Sequence, residues 1–451
     1  MVENSPPLSK DVKKKALARV LQKRKQSLGA ERLVSGGQAE SGIPEAFYKF
    51  DQFAAYQSIK THHVVADQIG IDSPFFLTHE GCAHDTTRIN GRDLVNYGTY
   101  NYLDLNGHPR VNKSALDAIG QYGTSACASR LIAGERPPHR ALEEALANLY
   151  GTEDALCFVS GHATNVSTIG TLFGPTDLIV HDRLIHSSVL QGAHLSRAKR
   201  QPFAHNDWQE LDDMLTRSRH HFEKVLVCIE GVYSMDGDFP QLDRFVEVTR
   251  KHHALLMVDE AHSLGVLGAT GRGLGEHFGV ASDDVDIWMG TLSKTLAGCG
   301  GYIAGSASLI ELLKYSASGF VYSVGMSPAL AAGSLEALKI MLEEPERVAM
   351  LNRNGRLFHD LAAEHGLDTG LSQGLNVIPV IVGDSIQAIN ASQILIRNGI
   401  YVSPLIHPAV EENAARLRFF ISSAHSEEQI RQTVIATADA IRDSKRSETG
   451  G

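Results

Sequence analysis

Beyond Ala141 the chain alternates between two patterns. In one, apolar residues recur every three or four positions, as a helix with one buried face requires; these stretches cover 141–149, 163–173, 211–217 and 242–252. In the other, apolar residues run without interruption, at 155–159, 178–180, 225–229, 255–258 and 287–289. Uninterrupted strands separated by helices predict a parallel sheet covered on both faces, and so an α/β fold. In such a sheet ligands sit beyond the carboxyl ends of the strands. The polar residues just past those ends are therefore the candidates for chemistry: Ser160, Gly161 and His162; His186; Glu230 to Ser234; Asp259 to His262; and Thr291 to Lys294.

The flanks follow other patterns. Residues 10–26 place Val12, Ala16, Leu17, Val20 and Leu21 at helical spacing among eight lysines and arginines. This predicts a basic amphipathic helix, either a solvated face or a dock for an acidic partner or an anionic membrane. Residues 33–45, rich in Gly and Ser, read as a linker. Residues 46–71 read as a helix carrying Phe47, Tyr48, Phe50, Phe53 and Tyr56. Asn90-Gly91 between two extended runs predicts a hairpin turn. Ser327-Pro328 reads as a helix start, with a capping hydroxyl before a first-turn proline. That helix should run to about residue 362 and break near Pro345. A smaller unit follows, with strands 377–382, 401–403 and 417–421 and helices 386–397 and 427–442. The division this implies is a basic segment and linker (1–45), a helix and hairpin (46–98), a large domain (99–333), a small carboxyl-terminal domain (334–443) and a disordered tail (444–451).

Composition narrows the classes. A formal charge of −10 argues against nucleic-acid binding, and 43% hydrophobic with 21% charged residues is ordinary for a soluble enzyme. The five cysteines are scattered and odd in number, and Cys157 and Cys228 lie inside apolar runs, where reduced, buried thiols are expected. The amino terminus shows no signal-peptide core, and no run approaches the roughly 18 apolar residues that span a bilayer, so the expectation is a soluble cytoplasmic protein. No Walker loop and no G-x-G-x-x-G fingerprint is present. His79, Cys82 and His84 lie within six positions, but no second ligand pair follows at metal-finger spacing, so the hairpin reading is preferred there to a structural metal.

The strand ends carry the chemistry. A lone lysine past a strand is usually a surface residue. Lys294 differs because Asp259 ends another apolar strand. Lysine and aspartate at two strand ends suit pyridoxal phosphate (PLP): the amine condenses with the cofactor aldehyde, and the carboxylate keeps the pyridine nitrogen protonated so that the ring can accept electrons. Ser160-Gly-His-Ala-Thr-Asn165 joins a strand to a helix whose first amides and dipole can hold a phosphate, with Thr291 and Ser293 adding hydroxyls. His186 either stacks on a flat ring or is a satisfied buried histidine. Arg418, in a strand, needs an anion: a substrate carboxylate or an internal salt bridge.

From residue 75 to about residue 438 the sequence resembles the α-oxoamine synthases, PLP enzymes of fold-type I. The resemblance rests on Tyr100-Asn-Tyr-Leu, Ser129-Arg-Leu-Ile-Ala-Gly, His139-Arg-Ala-Leu-Glu, Ser160-Gly-His-Ala-Thr-Asn, Glu230-Gly-Val-Tyr-Ser-Met-Asp-Gly-Asp, Asp259-Glu-Ala-His-Ser, Gly290-Thr-Leu-Ser-Lys and Ala415-Arg-Leu-Arg, in that order. It implies a mainly parallel seven-stranded sheet in a large domain, a smaller α+β domain and a homodimer. The implied reaction is condensation of a small amino acid with an acyl thioester (on coenzyme A or an acyl carrier protein), with loss of carbon dioxide, giving an α-amino ketone. On the matching positions, Lys294 corresponds to the cofactor-holding lysine and base, Asp259 to the partner of the ring nitrogen, and His186 to the ring-stacking histidine. His262 and Ser234 correspond to residues near the ring hydroxyl, Gly161 and His162 to the cofactor-holding turn, and Thr291 to a phosphate ligand. Ser323 corresponds to a contact with the neighbouring subunit's phosphate, and Arg418 to the grip on the amino-acid carboxylate. Tyr100 stands where many members have Asn, and Val324-Gly325 replaces a Thr-Ser pattern. The alternatives are an aminotransferase or aldolase on the same fold, or a non-catalytic partner subunit, which would lack the lysine.

Overall fold

A computed structural model describes residues 43–68 and 73–449. The expected basic helix, most of the linker and residues 450–451 lie outside the described residues. The centre is a seven-stranded sheet in the order β3-β9-β8-β7-β6-β4-β5. Its strands are β3 (Asp154–Phe158), β4 (Leu178–Asp182), β5 (Lys199–Phe203), β6 (Val225–Glu230), β7 (Leu255–Asp259), β8 (Ile287–Thr291) and β9 (Gly301–Gly305). Only β9 runs antiparallel to its neighbours. The reason the strand patterns are uninterrupted is visible in the packing. Alternate residues of one strand enter two separate cores: Leu226 and Cys228 join Ile179, Met257 and Ile303 on one face, while Val225, Val227 and Ile229 join Val180, Leu256 and Val258 on the other. Helices Gly161–Leu172, Ser187–Ser196 and Ala307–Ser316 cover the first face, and Pro137–Tyr150, Trp208–Ser218, Leu242–Lys251 and Pro328–Glu343 the second. With water excluded from both sides, a polar position inside these strands would cost more than it returns.

Three elements of this layer carry no sequence signal of the expected kind. β5 (Lys-Arg-Gln-Pro-Phe) is an exposed edge, where a proline and charges are tolerated. β9 lies between two glycines and is too short to announce itself. The helix Ser187–Ser196 has a weak apolar period.

The small unit is an antiparallel sheet, β10 (Val377–Gly383), β13 (Ala415–Phe420) and β12 (Ser403–Leu405), under helices Ser385–Arg397 and Glu427–Thr449. The hairpin forms as expected, β1 (Thr86–Ile89) and β2 (Arg92–Asn96), with Asn90 and Gly91 at φ +50° and +73°. The structure departs from expectation in three places. The strand expected at 401–403 is two strands in two sheets: β11 (Ile400–Tyr401) pairs parallel with β2, and β12 pairs with β13. The hairpin is thereby sewn to the carboxyl-terminal unit. The helix expected over 46–71 is two short turns (Glu45–Phe47, Phe50–Gln52) and a helix Ala54–Gln68, because Lys49 and Phe53 adopt extended angles. The long helix breaks at Pro345 as expected: Pro328–Glu343 ends and Glu346–Glu364 starts anew. The last helix runs to Thr449, past the point at 444 where disorder was expected, and Ser444 is buried.

Candidate active site

Twelve of the thirteen candidate residues line one cleft of about 400 Å³ beyond the carboxyl ends of the strands: Tyr100, Ser160, Gly161, His162, His186, Ser234, Asp259, His262, Thr291, Ser293, Lys294 and Arg418. The thirteenth, Ser323, lies elsewhere, in a surface hollow with Cys127, Leu131, Ile132 and Tyr322.

At the cleft floor β7 ends in Asp259, which is buried. Asn165 Nδ2 donates to its Oδ2 at 2.9 Å and the Ala261 N–H donates to its Oδ1 at 3.0 Å. Each oxygen thus has one donor and capacity for another. Asn165 also donates to Ser188 Oγ at 2.9 Å, and Ser188 Oγ lies 2.7 Å from His186 Nδ1. The His186 ring caps helix Ser187–Ser196, its Nδ1 accepting from the Ser188 N–H. An accepting Nδ1 places the proton of the neutral ring on Nε2. Burial lowers the pKa of His186 and so favours that neutral form.

Next to Asp259, on β6, Glu230 is equally buried, but its Oε1 has no hydrogen-bond partner. Burial, then the charge of Asp259, raises its pKa well above the carboxylate range. Lys294 follows β8 and lies half-buried, its ammonium 5.7 Å from the centroid of the Tyr100 ring. Desolvation pulls its pKa down to about 8, while Asp259 and Glu230 oppose the shift. His262 is buried, with its Nδ1 2.7 Å from the Tyr102 hydroxyl and its carbonyl accepting from Asn376. Desolvation, aided by Lys294 and Arg418, holds its pKa well below the ordinary imidazole value.

The phosphate-sized end lies where Ser160 caps helix Gly161–Leu172, its hydroxyl accepting from the Ala163 N–H. The first N–H groups of a helix have no carbonyl partner within it, so those of Gly161 and His162 remain to bind an anion. A Cβ on Gly161 would meet Thr291 Oγ1 at 2.9 Å, and one on Gly301 would meet the Gly161 Cα at 2.6 Å. Glycine at both positions lets the helix start, β8 and β9 close on one another beneath the cleft. Thr291 and Ser293 point their hydroxyls at the Gly300 carbonyl in the same corner.

At the opposite end, Arg418 Nη1 donates to the Ser234 carbonyl at 2.9 Å and touches Met235 Sδ at 3.2 Å, and the guanidinium lies over Phe420. The internal ion pair considered for Arg418 is made instead by Arg416, to Asp236 at 2.7 Å. Among the described residues Arg418 forms no ion pair.

Three comparisons bear on this arrangement. Residues 92–436 match the aminotransferase class I and II family. The chain is 40% identical over 351 residues to an 8-amino-7-oxononanoate synthase of Geobacter sulfurreducens, covering 77% of this chain and 89% of the relative. The corresponding Methylococcus capsulatus enzyme is 40% identical over 353 residues, 78% of this chain and 90% of the relative. A Sphingomonas wittichii serine palmitoyltransferase superposes with a TM-score of 0.83 at 31% identity, over 88% of this chain and 99% of that one. The chain is an α-oxoamine synthase of the class I and II aminotransferase family. It is a PLP-dependent acyltransferase, condensing an amino acid with an acyl thioester with loss of carbon dioxide.

The residues present in this α-oxoamine synthase fit that cofactor. The glycine cradle at Gly161 leaves room at a helix start for a phosphate, Asp259 has lone pairs to spare for a ring N–H, and the Lys294 amine is already partly neutral near pH 8. Sequence reasoning did not single out Asn165, Ser188 and Tyr102, and it named Glu230 only as the start of the stretch past one strand end, with no role of its own. Asn165 sat inside a quoted motif, where its helical offset from Gly161 points it back at the cleft. The others become visible only when strands are laid side by side.

Proposed function

We propose that this chain, as a cytoplasmic homodimer, condenses a small amino acid with an acyl thioester on coenzyme A or an acyl carrier protein, using the cleft residues in the roles set out below. The observation that carries this reading is the joint presence in one cleft of a lysine amine depressed to about pH 8 and an arginine that no carboxylate among the described residues claims. When bound, PLP supplies an aldehyde for the amine and an electron-accepting ring for the amino acid's α-carbon. Asp259, steadied by Asn165, keeps the ring-facing proton in place. The helix start at Gly161 and His162, with Thr291 and Ser293, holds the phosphate. Arg418 takes the amino-acid carboxylate through its unclaimed donors and orients the α-C–H toward Lys294. Lys294, neutral once displaced, removes the α-proton. His186 presents Nε2–H to the cleft and can bond the thioester carbonyl, while neutral His262 and Ser234 flank the ring.

The relatives, 8-amino-7-oxononanoate synthases that condense alanine with a pimeloyl thioester and a serine palmitoyltransferase, favour alanine or serine as the amino acid and a pimeloyl-like or palmitoyl-like acyl group, and Tyr100 narrows the amino-acid end. The exposed apolar hollow around Ser323, with Ile132 81% and Tyr322 87% exposed, supports a second copy covering it and bringing Ser323 to the neighbouring phosphate end. An aminotransferase or aldolase on the same fold would need no thioester, and a non-catalytic subunit would have no use for Lys294.

The test is release of carbon dioxide from a panel of small amino acids with and without acyl thioester. Thioester-dependent release, lost by at least about 10³-fold in Lys294→Ala, is expected. Release without thioester, or amino transfer to a keto acid, would move the chain to the alternative reading.

A further inference from the structure

Beneath the cleft lies a charged cluster that none of the roles above uses. His205 follows the edge strand β5, and its side chain is only 6% exposed. Its Nδ1 is 2.9 Å from Asp182 Oδ1 and its Nε2 is 2.8 Å from Asp238 Oδ2. The Asp182 side chain is fully buried, and that of Asp238 is 7% exposed. A carboxylate opposite each ring nitrogen requires both nitrogens to carry protons, since a neutral imidazole donates only once. The two acidic partners push the pKa of His205 up to about 10 against its burial.

The two aspartates belong to two different walls of the cleft. Asp182 ends β4. It accepts from the N–H of Leu184 at 2.8 Å and of Asn206 at 2.7 Å, and its carbonyl accepts from Ile185, so it shapes the short turn that delivers His186. Asp238 closes the loop after β6: its carbonyl accepts from the Tyr233 N–H, and the Tyr233 carbonyl accepts from Gly237. That loop presents Ser234 and Met235, whose atoms hold Arg418. Among the described residues, Oδ2 of Asp238 receives His205 and the Asn206 amide, and Oδ1 receives no hydrogen bond. The Tyr233 ring meets the His205 ring edge-on at 4.5 Å and fills the remaining side.

We infer that His205 is a positioning residue for the condensation: its doubly donating imidazolium ties the His186 turn to the Ser234–Met235 loop and so sets the spacing between the ring-facing histidine and Arg418. It touches no reacting atom. Its cation neutralises two buried carboxylates, one at the end of β4 and one in the loop after the neighbouring β6. Without it the carboxylates repel across the gap, and the walls part where the amino acid and thioester must meet. The inference rests on this cleft being the reaction site.

The test has three arms on the full-length holoenzyme. Selective ¹⁵N-histidine NMR of the wild type near pH 8.5, about two units above the ordinary imidazole value, should show an imidazolium with both nitrogens protonated; finding only neutral rings overturns the inference without reference to activity. His205→Gln should lower kcat/KM for the amino acid by at least about tenfold and by less than that for PLP uptake, read from bound-cofactor absorbance. Adding Asp238→Asn to His205→Gln removes one of the two repelling charges and should recover most of the loss. A purely space-filling role predicts no recovery, so a double variant no better than His205→Gln, or a His205→Gln enzyme within about twofold of wild type, would also overturn it. If His205→Gln does not fold, Asp238→Asn alone is compared with wild type: loss of the imidazolium signal is expected, and an unchanged signal with unchanged kcat/KM overturns the inference.

Discussion

Asp259 and Glu230 stand opposite each other in register at the ends of neighbouring strands, both buried, yet they are held in opposite ways. The end of β7 supplies Asp259 with an amide donor and a backbone N–H. The end of β6 leaves Glu230 Oε1 with no partner, and burial keeps its proton on. The same contrast recurs on β13, two residues apart. Arg416 is matched by Asp236, while Arg418 faces the cleft with no ion-pair partner among the described residues. In each pair the partners within the protein decide which charge is spent on structure and which is left for a ligand. A buried group with spare hydrogen-bonding capacity beside a carboxyl whose pKa burial has raised is a common signature of a reaction site.

The contrast can be broken at several points. The largest effect should come from Asp259→Asn, which keeps the shape and removes the charge: kcat should fall by about 10²–10³-fold, with the PLP absorbance shifted. Arg418→Ala should cost about 3 kcal/mol, roughly 10²-fold, in kcat/KM for the amino acid, with thermal stability little changed. Arg416→Ala should reverse that division. It strands Asp236, so unfolding free energy should drop by about 3 kcal/mol while KM moves far less. A thermal melt beside steady-state kinetics separates the two arginines.

Smaller effects sharpen the picture through pH. With its value near 8 against 10.5 for a free lysine, Lys294 in the cofactor-free protein should capture PLP at a rate that rises tenfold per pH unit below about 8 and levels off above it. A plateau only above pH 10 would mean that the amine is not desolvated. The unfolded chain keeps that lysine's proton longer, so this residue's contribution to stability rises with pH between those two values. Glu230 acts with the opposite sign. The folded state holds its proton longer than the unfolded chain does, so its contribution falls as pH rises above the ordinary carboxylate range. Glu230→Gln should remove that slope in pH-dependent denaturation and change kcat by less than about 1 kcal/mol, roughly fivefold, because the group is already neutral.

How much of this was legible beforehand differs by element. The strands β6 and β7 announced themselves because both faces are dry, and an apolar residue was needed at every position. β5 and β9 did not, because an exposed edge and a run flanked by glycines carry no such demand. The lysine, aspartate and arginine at strand ends were readable from their places past apolar runs and from the ordered motifs. Asn165 and Ser188 were not, and Glu230 was readable only by its place past a strand, because what makes them matter is a neighbour far away in sequence. Asn165 lies 94 positions from the carboxylate it steadies.

The linear order of apolar and polar residues alone determined that this chain builds a sheet buried on both sides, with a lysine and an aspartate at strand ends and a helix start ready for an anion. Side-chain period and the cost of burying unpaired polar groups are local properties, and they are written residue by residue. Only the tertiary structure decided which carboxyl is pushed toward its neutral form, which arginine stays unclaimed among the described residues, and that His205 joins the His186 turn to the Ser234–Met235 loop. Those outcomes depend on desolvation and on partners that the fold brings together from distant parts of the sequence, and neither can be counted along a line.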